Sequence, residues 1–264
     1  MQHSIAIIGC GNLGLSIANG LIKTPGFDVS SLTLTKRKTE SLSPLKKLGV
    51  AISSDNLAAA ESADIIILAV KPFNLTEVLE EIKPAIGGKK QTIVSVATGV
   101  KIQQISGILG DDIPIFRAMP NIAADINESV TCICGINASE ATEAAVKEIF
   151  NSIGLSITIN EDLMEAATVL GACGIAYVLR FMRAMIQGGI QIGFDAKTAS
   201  DIVNQTVKGA AEMMIQQPIH PEAAIDKVTT PKGCTIVGLN EMEHHGFSAA
   251  MVKGVIASFE KITL

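Results

Sequence analysis

The amino-acid sequence predicts an α/β protein in two parts: a doubly wound, largely parallel sheet over residues 1–160 and an all-helical domain over residues 161–264. Three observations carry this. Short β-rich runs alternate with helical patterns as far as Asn160, the pattern of βα units. From Glu161 onward the β pattern stops and long helical segments follow, a change of period that marks a domain boundary. Near the start, Gly9, Gly11 and Gly14 stand in GxGxxG order between an apolar run and a helical one.

The runs that read as strands are, in order, SIAIIG, LTLT, VAIS, DIIILAV, TIVSVA, IPIFRA, VTCICG and LSITI. DIIILAV, Asp64 to Val70, is continuously apolar after its first residue rather than alternating, as a strand covered on both faces must be. It is therefore placed centrally. The helices of the second part are expected at about 161–187, 195–216, 231–243 and 247–261, and no Pro/Gly/Ser-rich linker precedes them. Earlier in the chain, Pro72 is expected to stop strand pairing, and Asn74 with Glu77 offers a cap for the next helix.

From Ala166 to Leu179 the first long helix is apolar on nearly every face, and Gly171 and Gly174 allow close backbone approach. A helix apolar all round needs cover on every side, which a domain of about one hundred residues supplies with difficulty. A homodimer joined through the helical domains is predicted. The apolar run is closed by Glu165 and Arg180 and falls short of the ~20 residues of a membrane span, so no membrane partner is expected.

A hydrophobic content of 48% with a formal charge of only −5 gives no broad basic footprint for nucleic acid. Partners should be small molecules or further copies of the chain. Cys10, Cys132, Cys134, Cys173 and Cys234 are scattered and odd in number, which fits a reducing cytoplasm. The N-terminal residues show no secretory pattern of basic region, apolar core and cleavage site. Cys132 and Cys134 fall on one face of a strand and lack a tetrahedral ligand set, so they read as buried hydrophobes. His244 and His245 are adjacent and point different ways on a helix; no metal is expected.

The glycine pattern has a physical reading as a dinucleotide fingerprint of the Rossmann type. Gly9 permits the tight turn, Gly11 lets a pyrophosphate reach the backbone, and Gly14 allows the helix to pack on the strand, with phosphates at the helix N-terminus. The acidic residue that binds the adenosine ribose of NAD is expected ~20 residues further on. There the sequence reads TLTKRKT, with Lys36, Arg37 and Lys38 and no carboxylate. Such a cluster suits the 2′-phosphate of NADPH, with NADH the alternative cofactor.

Four segments in the same order, IIGCGNLG at Ile7–Gly14, AVKP at Ala69–Pro72, RAMPN at Arg117–Asn121 and VTTPKGCTIVGL at Val228–Leu239, make the chain resemble the pyrroline-5-carboxylate reductases over essentially its full length. The resemblance implies a Rossmann domain followed by a helical dimerisation domain, with dimers often assembling further. It also implies NAD(P)H-dependent reduction of the cyclic imine acid 1-pyrroline-5-carboxylate to proline, the last step of proline synthesis. Cofactor contacts would come from Ile8, Gly9, Cys10, Gly11, Asn12 and Leu13 beside Gly14, from Thr35, Lys36 and Arg37, from Asn56, from Ala69, Val70, Lys71 and Pro72, and from Val96, Ala97 and Thr98. Substrate contacts would come from Thr230, Gly233, Cys234 and Thr235.

The residues support these assignments to different degrees. AVKP ends the central strand, and open α/β sheets bind ligands at the carboxyl ends of their strands. RAMPN also ends a strand, so Met119 and Asn121 can face the nicotinamide and the imine; Arg117 is open to an ion pair or a ligand contact. Thr230 is a good N-cap, and Pro231 suits the first helical position. The N–H groups around Gly233 to Thr235 then become helix-start donors for a carboxylate. Thr235, both donor and acceptor, is placed at the ring nitrogen as the catalytic residue.

Two departures from the family pattern stand out. Lys232 occupies a place where glycine is usual, and GACGIAY at Gly171–Tyr177 replaces SGSGPAY. Alternative readings are a β-hydroxyacid dehydrogenase or other imine reductase, and a non-catalytic NADP-binding regulatory protein. The former enzymes carry a lysine in the first long helix of the second domain, and residues 161–187 contain none.

Overall fold

The computed structural model describes residues 3–87 and 91–263. Eight strands form one sheet: β1 (Ile5–Ile8), β2 (Leu32–Thr35), β3 (Ala51–Ser53), β4 (Ile65–Leu68), β5 (Thr92–Ser95), β6 (Ile115–Met119), β7 (Ser129–Ile136) and β8 (Gly154–Thr158). Their order is β3-β2-β1-β4-β5-β6-β7-β8. Pairing is parallel except between β6 and β7, which run antiparallel. All eight runs that the sequence marks as strands are present, and β4 lies fourth from one edge, buried at all four residues.

The crossovers are α1 (Asn12–Lys23), α2 (Ser43–Lys46), α3 (Asn56–Ser62), α4 (Pro72–Ile82), α5 (Ile102–Leu109) and α6 (Glu140–Asn151). Two apolar layers follow from the period-2 geometry of the strands. Ile5 and Ile7 of β1 face a layer with Ile17, Leu21 and Phe150, while Ala6 and Ile8 face Leu75, Leu79 and Ile105 on the other side. A continuous apolar strand is the consequence of this double cover. A Cβ on Gly20 of α1 would run into the Ala124 carbonyl oxygen and stand 2.8 Å from Ile153 Cγ2, so the helix seats where no side chain fits.

The cap expected from Asn74 and Glu77 is replaced by another arrangement. Lys71 is the N-cap residue of α4, and Pro72 takes the first helical position, where its missing N–H costs nothing. Asn74 consequently sits inside the first turn.

Beyond β8 the chain continues as α7 (Met164–Ala167), a π-helical segment Thr168–Cys173, α8 (Gly174–Gln191), α9 (Ala196–Gln216), α10 (Pro221–Val228), α11 (Cys234–His244) and α12 (Phe247–Thr263). The compact unit around the sheet includes residues up to Cys173 and those from Phe259 on, and the second unit is Gly174–Ser258. Residues just past 160 belong with the sheet because Met164 is buried in its second apolar layer and Glu161 and Glu165 both pair with Arg117.

Helix α10 departs from the sequence expectation. Its signals are His220 as N-cap, Pro221 at the first position and Glu222 in the first turn, all readable in retrospect. The helix expected from Pro231 begins instead at Cys234, with Gly233 as its N-cap.

Helices α8, α10, α11 and α12 have no buried residue, and α9 buries only Ala199 and Val203. Val178, Leu179, Ile202, Ile215, Val252 and Ile256 are all exposed. The run Glu161–Gln191, 31 residues long, is apolar and long enough to cross a membrane by length and composition; the helical run is therefore longer than the apolar core read from sequence. Such contiguous apolar faces mark an interaction surface.

Candidate active site

The strand order reverses between β1 and β4, and a crevice at the carboxyl ends of strands is expected at such a switch point. A groove of about 800 Å3 lies there. It brings together all the residues assigned to the cofactor from sequence except Gly14, which packs behind the loop; it includes Lys38 of the basic cluster and adds Ser54, Asn74, Val78 and Ile122. Ser54 and Asn74 carried a usable signal: one follows a strand, the other opens a helix.

The glycine loop is shaped by two different constraints. Gly9 has φ 87°, and a Cβ there would collide with Val70 Cγ1. A Cβ on Gly14 would stand 3.1 Å from both Ala69 Cβ and the Gly9 carbonyl. Gly11 differs: its φ is −78°, and nothing lies within 4 Å of its would-be Cβ. The open space at Gly11 is what a bound pyrophosphate requires.

The N–H groups divide similarly. Gly9 and Cys10 both donate to the Thr35 carbonyl, at 3.2 and 2.9 Å, and Gly11 donates to the Gly9 carbonyl at 2.7 Å. The first bond closing α1 runs from Leu15 N–H to the Gly11 carbonyl, so the donors left for an anion are those of Asn12, Leu13 and Gly14. No acidic residue occupies that first turn, and the helix dipole favours a phosphate there.

At the end of β2, Lys36, Arg37 and Lys38 line the groove, and Lys36 Nζ donates to Ser41 Oγ at 2.9 Å. Thr35 is fully buried; its hydroxyl donates to Asn56 Oδ1 at 2.6 Å. These cations, the helix-start donors and the space at Gly11 fit a dinucleotide with an additional phosphate. Cys10 turns its side chain into the core, and burial pushes its thiol up to about 12 against the weaker opposing pull of Lys36. Cys10 meets the groove through its backbone and remains a thiol at neutral pH.

Arg117, open to two roles from sequence, is an ion-pairing residue. Nη1 lies 3.1 Å from Glu161 Oε1 and Nη2 2.9 Å from Glu165 Oε1, with Arg117 only 1% exposed. Met119 is buried in the second apolar layer. Asn121 accepts from Ala123 N–H at 2.9 Å and donates to the Gly171 carbonyl at 3.1 Å, pinning the π-helical segment. Neither Met119 nor Asn121 lines the groove. Cys132 and Cys134 do share a face of β7, packed in the second apolar layer, and burial raises both thiols, that of Cys134 to about 11.

In the second unit, residues 230–233 form a turn in which Gly233 N–H donates to the Thr230 carbonyl at 2.9 Å. Pro231 takes its first central position, and Lys232, with φ 62°, the second, where a positive φ is required in a type II turn. Thr230 therefore does not cap the helix, because the turn separates it from α11. A Cβ on Gly233 would run into Thr230 Oγ1. Gly233 caps α11 without a side-chain bond, leaving the helix-start N–H groups of Cys234 and Thr235 for a ligand.

The switch-point groove, the basic strand end and the helical second part define a dinucleotide-dependent oxidoreductase using NAD(P)H. Residues 161–263 match the family described as pyrroline-5-carboxylate reductase dimerisation, and residues 4–99 that described as NADP oxidoreductase, coenzyme F420-dependent. Pyrroline-5-carboxylate reductase 2 of Dictyostelium discoideum is 42% identical, over 98% of this chain and 92% of that protein. Pyrroline-5-carboxylate reductase 1 of the same organism is also 42% identical over 98% of this chain, which spans only 49% of that longer protein. Plasmodium falciparum pyrroline carboxylate reductase, solved with NADP bound, superposes with a TM-score of 0.91 at 27% identity, covering 99% of this chain and 97% of that one. The chain belongs to the pyrroline-5-carboxylate reductase family.

Proposed function

We propose that the protein reduces 1-pyrroline-5-carboxylate to L-proline, with NADPH as the preferred donor and NADH the alternative, in the last step of proline biosynthesis. The observation that carries this reading is the turn at residues 230–233, which presents the uncapped start of α11 in a chain of this family. The N–H groups of Cys234 and Thr235 bind the substrate carboxylate, aided by the dipole of an eleven-residue helix. Gly233 and Thr230 shape the approach. Thr235 hydrogen-bonds the ring nitrogen and orients the C=N bond.

The bound cofactor supplies the hydride that adds to the imine carbon. With the iminium form held by Thr235, the nitrogen already carries its proton, so no histidine or carboxylate acid is needed. Met119 and Asn121 contribute from behind, Asn121 by fixing the π-helical segment at Gly171. Residues 1–160 and 161–264 act as the cofactor domain and the substrate-binding, dimerisation domain.

The apolar faces of α8, α9 and α12 support a homodimer, with dimers assembling further; a second copy, not a membrane, covers the Glu161–Gln191 run. The absence of an acidic residue at the end of β2 and the lysines and arginine that replace it support the preference for NADPH. The formal charge of −5 supports a small-molecule enzyme without nucleic-acid partners, and the scattered, odd-numbered cysteines support a place in the cytoplasm.

The test is steady-state NADPH oxidation with pyrroline-5-carboxylate, the six-membered imine acid and an NADH control, in wild type and Thr235→Ala. Loss of one hydrogen bond formed with the reacting nitrogen should lower kcat/KM about ten- to a hundred-fold. Unchanged kcat and KM in the variant would remove Thr235 from the site. Activity on 3-hydroxy acids without imine reduction would replace the proposed reaction.

A further inference from the structure

A chain of hydrogen bonds runs away from the glycine loop to a residue outside the groove. Gly9 N–H donates to Thr35 Oγ1 at 3.3 Å. Thr35 Oγ1 donates to Asn56 Oδ1 at 2.6 Å. Asn56 Nδ2 donates to Glu81 Oε2 at 2.8 Å. Four elements are thereby joined: the loop after β1, the end of β2, the first turn of α3 and the last turn of α4.

The chemistry of the last link fixes the rest. A carboxylate only accepts, so Glu81 requires the NH2 of Asn56 to face it and the amide oxygen to face Thr35. With the oxygen engaged by the Thr35 hydroxyl and one N–H by Glu81, the other N–H is what Asn56 can offer to the groove that it lines. Without Glu81 the amide could turn over, since the Thr35 hydroxyl can accept as well as donate. An amide turned over would present its oxygen to the groove, beside Lys36 and Arg37 where an anion is to bind.

We propose that Glu81 is a positioning residue for cofactor selection: it holds Asn56 as a hydrogen-bond donor toward the adenosine 2′-phosphate. This rests on the reading that the groove takes NADPH. Glu81 has a charge of the wrong sign for a phosphate site, so its through-space field alone opposes the phosphate, whereas its hold on Asn56 favours it. The two effects predict opposite outcomes when the carboxylate is removed.

The experiment uses the full-length protein with Glu81→Ala and Glu81→Gln. Calorimetric binding of adenosine 2′,5′-bisphosphate is measured together with KM for NADPH and NADH and the melting temperature of the ligand-free protein. If Glu81 acts by orientation, Glu81→Ala weakens bisphosphate binding and raises KM for NADPH about five-fold, with kcat and KM for NADH unchanged. Glu81→Gln, whose amide can accept from Asn56 or donate to it, holds the orientation less strictly and falls between wild type and Glu81→Ala. Tighter or unchanged binding in both variants, or a loss that tracks a fall in melting temperature, overturns the proposal. The bisphosphate arm needs no imine turnover, so wild-type protein that binds it without reducing the imine acid refutes the proposed reaction and leaves the role of Glu81 to be decided by the variants.

Discussion

Arg117 and Glu165 meet at 2.9 Å between Nη2 and Oε1, across a separation of 48 residues, at the point where the sheet hands the chain to the helices. Glu161 completes the clasp and also accepts Ile102 N–H at 2.8 Å, so three elements converge on one guanidinium. Arg117 is 1% exposed, and the Glu161 and Glu165 side chains 32% and 15%. Replacing Arg117 by Met leaves two carboxylates against an apolar wall. Loss of one partner of a buried pair costs about 3–5 kcal/mol, and the partial exposure of Glu161 places the expected loss near the lower end, at about 3 kcal/mol. Urea unfolding of Arg117→Met checks this; a midpoint close to wild type would mean that the carboxylates find water instead.

Lys232 gives a prediction of opposite sign. An L-residue in the left-handed region costs roughly 1–2 kcal/mol, and glycine has no such cost. Part of that gain is offset because glycine is freer in the unfolded chain. Lys232→Gly should therefore stabilise the protein, by about 1 kcal/mol, read as a higher melting temperature. KM for the imine acid should stay unchanged, because the carboxylate donors assigned above are backbone N–H groups and a lysine in that position opposes the helix dipole. A raised KM would instead make the Lys232 ammonium part of the carboxylate site.

The sheet was legible in the sequence because its determinants are local and periodic. DIIILAV is apolar at every position after Asp64 since both faces of β4 are covered, and TLTKRKT declared a basic strand end without any knowledge of its neighbours. The antiparallel turn of β7 onto β6 was not legible: parallel and antiparallel pairing leave similar runs once both faces are buried. The start of α11 was misplaced by three residues because Thr-Pro is a good helix opening in isolation. What moved it is the Thr230–Gly233 turn, visible only once Gly233 is seen packed on Thr230. Glu81 was beyond sequence reasoning altogether, since its partner Asn56 lies 25 positions away and no spacing rule joins them.

Cys10 makes the folded state sensitive to high pH. Its thiol stays protonated in the fold up to about 12, whereas the ordinary value is 9.0. Below the ordinary value both folded and unfolded chains hold the proton, and the full stability is present. Between the two values only the folded chain holds it, so stability falls with rising pH by roughly 1 kcal/mol per unit. Urea midpoints at about pH 8, below this window, and about pH 10.5, within it, should separate more in wild type than in Cys10→Ala, which lacks the titrating group. Equal pH dependence in the two proteins would show that Cys10 reaches solvent.

Gly9 and Gly11 separate folding from cofactor binding within a single loop. Gly9 has a positive φ and a Cβ position filled by Val70, so Gly9→Ala strains the backbone and displaces the end of β4 even with no ligand present. A destabilisation of at least about 2 kcal/mol is expected. Gly11 has an ordinary φ and an open Cβ position, so Gly11→Ala should melt within a few degrees of wild type while its methyl group occupies the space the pyrophosphate needs. NADPH affinity, followed by fluorescence titration, should fall at least about ten-fold. The decisive comparison is the pair: if Gly11→Ala binds NADPH as wild type does, the pyrophosphate does not pass over this glycine and the groove must be filled in another orientation.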